Sequence, residues 1–103
     1  MFQLFKRIPT ISTQELAERM DQSISLLDVR TAEEYRRGHI AKAKNYPLNK
    51  IDRYQGEEKE VYVICQSGMR SKQAAKVLLK KGYHVTNVQG GMNRWQGATR
   101  GGK

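Results

Sequence analysis

Three short, nearly continuous apolar runs stand out along the chain, at residues 24–29, 61–65 and 83–88. Runs of that length suit strands buried on both faces. The second, Val61-Tyr62-Val63-Ile64-Cys65, is also rich in β-branched residues, which favour strands. Between these runs the period becomes helical. Ser12-Thr13-Gln14-Glu15 and Thr31-Ala32-Glu33-Glu34 both fit a capping box, in which the first and last residues satisfy each other's free backbone donors. The first box opens a helix with Leu16, Ala17 and Met20 on one face and Ile11 against Leu16 as a hydrophobic staple. The second opens a helix that runs to about Arg37 and stops at Gly38. Asn45-Tyr46-Pro47-Leu48 closes a small strand, and the polar stretch from there to Glu60 predicts a turn of helix plus loop. A third helix, beginning about six residues after Cys65, takes its apolar face from Ala74, Ala75, Val77, Leu78 and Leu79, with Gly82 as its C′ residue. Gly90-Gly91 turns into a short helix holding Trp95, and residues 97–103 read as a frayed tail. Strands that alternate with helices predict an α/β domain with a parallel sheet.

Composition narrows the class. The chain has 103 residues, 38% apolar and 28% charged, which fits one ordinary globular domain over residues 1–103 with a core at about 8–96. Its net charge of +9 is unevenly placed. Residues 1–60 carry 11 basic and 10 acidic side chains, whereas residues 61–103 carry 8 basic ones and no acid. Taken alone, such a bias is a solvated Lys-rich helix face. It gains meaning only if a site lies in that half. No run is long enough to cross a membrane. The opening residues 1–7 place apolar side chains before the charges and lack a small-residue cleavage site, so no secretory leader is expected and the cytoplasm is the default compartment.

Cys65 is the single cysteine, so the chain can close no disulfide on itself and build no cysteine-based metal cluster. A lone cysteine ending an apolar strand is most often a small buried hydrophobe. The residues after it change that reading. Gln66, Ser67 and Arg70 are too polar for a core segment, and Gly68 permits a tight wrap. Ligands of open parallel α/β sheets bind beyond the carboxyl ends of the strands. A short loop there can aim backbone N–H groups at one point, and a thiol at that point becomes more acidic.

With these residues in place the chain resembles a rhodanese domain over about residues 8–96. The resemblance rests on Leu27-Asp28-Val29-Arg30, Glu34-Tyr35 with Gly38-His39-Ile40, Asn45-Tyr46-Pro47, the Cys65 loop, and Val88-Gln89-Gly90-Gly91 with Trp95. It implies a five-stranded, mostly parallel sheet flanked by helices, and a sulfurtransferase whose Cys65 carries a persulfide. By position, Gln66, Ser67, Gly68, Met69 and Arg70 form the cradle, and Arg70, with Lys72 beside it, holds the oxygens of an anionic donor such as thiosulfate. The acceptor implied is cyanide or a thiol, thioredoxin or another sulfur-accepting protein among them. No cofactor or metal is expected. Asp28 reads as structural support, holding Arg30 or a loop amide. His39 is expected to be a hydrogen-bonded structural histidine, Tyr35 and Trp95 to be core, and Met69 either to line the substrate mouth or to pack.

Three rival readings remain at this level. A Cys-dependent phosphatase or arsenate reductase needs Cys-x5-Arg, but Cys65 to Arg70 is one residue shorter and no His precedes it. A persulfide carrier or protein-interaction module would use the same cysteine. Nucleic-acid binding ranks last, since aromatics are only 8% and no recognition motif is present. A small anionic donor gives the basic half a purpose, because a positive field raises its encounter rate.

Overall fold

Each predicted strand forms in the computed structural model, which describes residues 8–103; the leader reading at residues 1–7 lies outside the described residues. The strands are β1 (Thr10–Ile11), β2 (Ser25–Asp28), β3 (Lys44–Asn45), β4 (Glu60–Ile64) and β5 (His84–Val88). They pair in parallel in the order β1-β5-β4-β2-β3. β1 escapes a pattern reading because two residues, one of them apolar, cannot express a period. It exists through its pairing of Thr10 with Asn87 and Ile11 with Val88.

Burial on both faces explains the apolar runs. Leu27, Val61, Val63 and Val85 face one core layer, against Ala74, Ala75 and Leu78 of the helix α3 (Met69–Lys80). Leu26, Tyr62, Ile64 and Val88 face the other, against Leu16 of α1 (Thr13–Glu18) and Tyr35 of α2 (Ala32–Arg37). Both capping boxes form as the sequence predicts. Ile11 and Leu16 are buried in the same layer, where the staple would place them. At the end of α3, Gly82 adopts φ +101°, with its N–H on the Leu79 carbonyl and the Tyr83 N–H on Leu78. Those two bonds are a Schellman cap, which closes the helix and turns the chain into β5. The polar stretch after β3 contains a 3-10 helix, Leu48–Arg53, whose Ile51 packs under α3.

Three expectations need correction. α3 begins at Met69, four residues after Cys65, so Met69 and Arg70 belong to its first turn and the loop itself is only residues 66–68. The final short helix is a 3-10 turn, Gly91–Asn93, and Trp95 lies beyond it, half-buried against the second core layer. Residues 97–103 are not left without backbone partners. His39 and Arg100 exchange two backbone hydrogen bonds, and the Gly102 N–H donates to Arg36 O at 2.8 Å, so the tail is tied to the end of α2. Polar, Gly-rich residues gave no sign of this, because backbone pairing needs no side-chain pattern.

Strand order fixes the place of any site. From β2 the chain moves outward to β3, then crosses to β4 on the other side of β2. The order reverses between β2 and β4, and the crevice beyond such neighbouring strand ends is where open α/β sheets take ligands. The residues that leave those two ends are Val29-Arg30 and Cys65-Gln66. No helix among the described residues is long and apolar enough to cross a membrane.

The turn after β5 closes this end of the molecule. Gly91 sits at φ +58°, and a Cβ there would lie 2.2 Å from the Cys65 carbonyl oxygen. That closeness lets Met92 N–H donate to Cys65 O at 2.8 Å and Asn93 N–H to Gln66 O at 2.9 Å. Gly91→Ala is expected to lower unfolding free energy by about 2 kcal/mol or more, from the left-handed backbone and the clash together. Urea denaturation checks this, and an unchanged midpoint would mean the turn relaxes freely.

Candidate active site

The chain leaves β4 into a loop of three residues that folds back over its own first side chain. Gly68, at φ +106°, makes the reversal, and its N–H lies 3.0 Å from Cys65 Sγ. The next turn adds the Ser71 N–H at 3.3 Å, and the Ser71 hydroxyl lies 3.4 Å from Sγ, accepting from the thiol and placed to donate to the thiolate once the proton leaves. That hydroxyl in turn donates to the Gly68 carbonyl at 3.1 Å, which fixes its position. Cys65 itself has no exposed surface. Burial pushes its pKa up, but the Ser71 hydroxyl and the amides of Ser71, Gly68 and Ser67 outweigh it, so the thiol is more acidic than an ordinary one. Amides converging at the start of a helix suit a sulfur that carries negative charge.

A buried ion pair holds this loop from the side. Asp28, at the end of β2, and Arg30 are 0% and 4% exposed. Arg30 Nε donates to Asp28 Oδ1 at 2.9 Å and Nη2 to Oδ2 at 2.7 Å, a two-point pair. Arg30 then donates from Nη2 to Gly38 O at 2.8 Å and from Nη1 to Gln66 Oε1 at 3.1 Å. Gln66 passes the restraint on, with Nε2 donating to Asn93 Oδ1 at 2.7 Å. Thus Asp28 does pair with Arg30, and the pair reaches the Cys65 loop through the side chain of Gln66. Asn45 Nδ2 ties down the connecting backbone by donating to the carbonyls of Asp28 and Arg30, both at 3.0 Å.

Arg70 does not point at the sulfur. It grips Glu34 of α2 at two points, Nη1 to Oε1 at 2.7 Å and Nη2 to Oε2 at 2.9 Å. Glu34 already accepts from the Thr31 N–H as the last residue of its capping box. Chiefly through the Arg70 guanidinium, and against partial desolvation, its carboxyl is held down to about 2. Ser67 is exposed and offers the sulfur only its amide. Met69 is 67% exposed, a bare apolar side chain at the start of α3. Lys72 is exposed as well. A shallow cleft of about 340 Å3, lined by Arg30, Glu34, Arg37 and Gln66 among others, opens beside the loop.

His39 is structural. It is 1% exposed, stacks on Tyr35 with ring centroids 3.6 Å apart, and donates from Nδ1 to the Tyr35 carbonyl at 2.7 Å. Four participants escape the sequence reading: Ser71, Glu34, Gly91 and Asn93. Ser71 could have been found as the residue one helical turn beyond Gly68. Glu34 was hidden because its capping role already accounts for it, and Asn93 because only the fold brings it to Gln66.

A model of the rhodanese-like domain matches residues 12–98. The Bacillus subtilis (strain 168) protein named "Putative sulfur carrier protein YrkF" is 39% identical over 98 residues, which span 89% of this chain and 53% of that one, about half its length. Thiosulfate sulfurtransferase GlpE of Coxiella burnetii (strain RSA 331 / Henzerling II) is 31% identical over 97 residues, 90% of this chain and 89% of that one. The crystal structure of a rhodanese-like domain protein from Staphylococcus aureus superposes with a TM-score of 0.81 at 31% identity, covering 93% of this chain and all of that one.

Since the Ser71 hydroxyl is one of the groups that acidify Cys65, Ser71→Ala is expected to move the midpoint of the thiol's pH–reactivity profile upward. At a pH below both midpoints, reactivity falls about tenfold for each unit of rise. The profile can be read from the rate at which the thiol is alkylated. An unmoved midpoint would show that the amides suffice.

Proposed function

The chain belongs to the rhodanese-like domain family, and on that premise we propose that it moves sulfane sulfur from thiosulfate or a related donor to a thiophilic acceptor through a persulfide on Cys65. The observation that carries this reading is the acidified thiol beneath converging amides at the end of β4. The sulfurtransferase name of a relative matched along nearly its full length supports it.

In the first half-reaction the Cys65 thiolate attacks the outer sulfur of thiosulfate. A sulfur–sulfur bond forms to Sγ, the bond to the sulfonate breaks, and sulfite leaves with the electron pair. The amides that converge on Sγ then lie beside the persulfide, where fixed dipoles lower the energy of its negative charge. In the second half-reaction cyanide or a thiolate attacks that outer sulfur and Cys65 leaves as the thiolate. No proton need be stored and no net oxidation occurs at Cys65. Because Sγ has no exposed surface, a donor reaches it only as groups at the loop mouth give way.

Gln66, Ser67, Gly68, Met69 and Arg70 supply the cradle and its mouth in this reading, with Asp28 and Arg30 acting only through Gln66. Arg70 would meet the donor's oxygens after leaving Glu34. The sulfur-carrier name of the Bacillus subtilis relative favours a second use of the same chemistry, in which the acceptor is a protein such as thioredoxin. With one cysteine, any thiol that resolves the persulfide comes from elsewhere.

Cys65→Ser is expected to abolish thiosulfate:cyanide sulfurtransferase activity while leaving the denaturation midpoint nearly unchanged, since Ser differs by one atom. Steady-state assays with a parallel unfolding curve test it. Full activity in a folded variant would remove Cys65 from the mechanism.

A further inference from the structure

The arginine that follows the Cys65 loop is already occupied. Arg70 extends from the first turn of α3 across to α2, where both of its terminal nitrogens bind the two oxygens of Glu34. Glu34 also lines the cleft beside the Cys65 loop. Arg30, the other arginine touching the loop, has its charge matched by Asp28. The amides at Sγ already meet the charge of the Cys65 thiolate, and a dianionic donor brings two more. An arriving thiosulfate therefore competes with the Glu34 carboxylate for Arg70 and meets that carboxylate's repulsion as well.

We propose that Glu34 is a positioning residue that sets donor selectivity: by holding Arg70 it disfavours dianionic donors such as thiosulfate relative to singly charged sulfane donors. This rests on the sulfur-transfer reading above and adds to it a preference among donors. The side chains are 34% and 28% exposed, so the pair is neither sealed in nor fully solvated. A partner can displace one half of such a pair. A persulfide of a small uncharged thiol brings one negative charge rather than two and has less need of the guanidinium. Its capture should not require the pair to open. Because the Glu34 carboxyl is held down to about 2, the pair stays ionised at neutral pH, where a competing anion can open it.

Glu34→Gln isolates the charge. Glutamine serves the last position of a capping box, so the variant keeps an acceptor for the Thr31 N–H while releasing Arg70. Its KM for thiosulfate is expected to fall about three- to fivefold, the scale of a partly exposed ion pair. The change should appear in KM rather than kcat, and should be much smaller with the persulfide of an uncharged thiol as donor. Arg70→Ala should raise the thiosulfate KM, and Glu34→Gln added to it should change nothing further, since the coupling is gone. An unchanged or raised KM in Glu34→Gln, or an equal fall with both donors, overturns the proposal. If wild-type protein forms no Cys65 persulfide with either donor, the sulfur-transfer reading itself fails, and this one with it.

Discussion

The turn of the backbone over the Cys65 sulfur is the constraint on which the rest of this end of the molecule depends. A thiol buried at the end of a parallel strand would ordinarily become less acidic, because a thiolate there has lost its water. Residues 66–68 reverse that outcome only if Gly68 takes its left-handed conformation and α3 starts at Met69. Then two N–H groups and a hydroxyl lie within 3.0–3.4 Å of Sγ. From below, the amides of Met92 and Asn93 fasten the carbonyls of Cys65 and Gln66, an approach that a side chain at position 91 would block. Sequence positions 65–71 and 90–93 therefore form one mechanical unit, joined by the fold and not by the chain.

Two arginines near the loop serve opposite ends. The Asp28–Arg30 pair is buried, and removing one partner of such a pair leaves a stranded charge at a cost of roughly 3–5 kcal/mol. Its value lies in geometry: the rigid guanidinium fork links β2, Gly38 and Gln66 at once. The Arg70–Glu34 pair is partly solvated, and exposed pairs contribute about 0–1 kcal/mol. One pair is built to stay, and the other can exchange its partner. The long-range field adds to both, since every charge in residues 61–103 is basic.

Local patterns in the chain carried most of the fold and a good part of the site. Burial on both sheet faces writes itself as the runs around Leu26-Leu27 and Val61–Cys65, and both capping boxes mark the helix starts at Ser12 and Thr31. The Cys65 loop was visible because polar residues and a glycine interrupt an apolar strand. What stayed hidden was whatever depends on partners distant in sequence. β1 is a strand only because β5 pairs with it, and the tail is held by backbone partners on His39 and Arg36. Arg70 was legible as a cation near the cysteine, but its engagement by Glu34 arises only because the fold brings the starts of α2 and α3 to the same end of the sheet. A residue with two roles shows only the local one in sequence.

The central claim is that Cys65 receives a sulfur atom and holds it as a persulfide. Intact-mass measurement of the protein after incubation with thiosulfate, with the adduct located by fragmentation, tests it most directly. The account predicts a gain of one sulfur atom on Cys65, lost again on addition of cyanide and absent from Cys65→Ser. An unmodified mass, or a gain located away from Cys65, would contradict it.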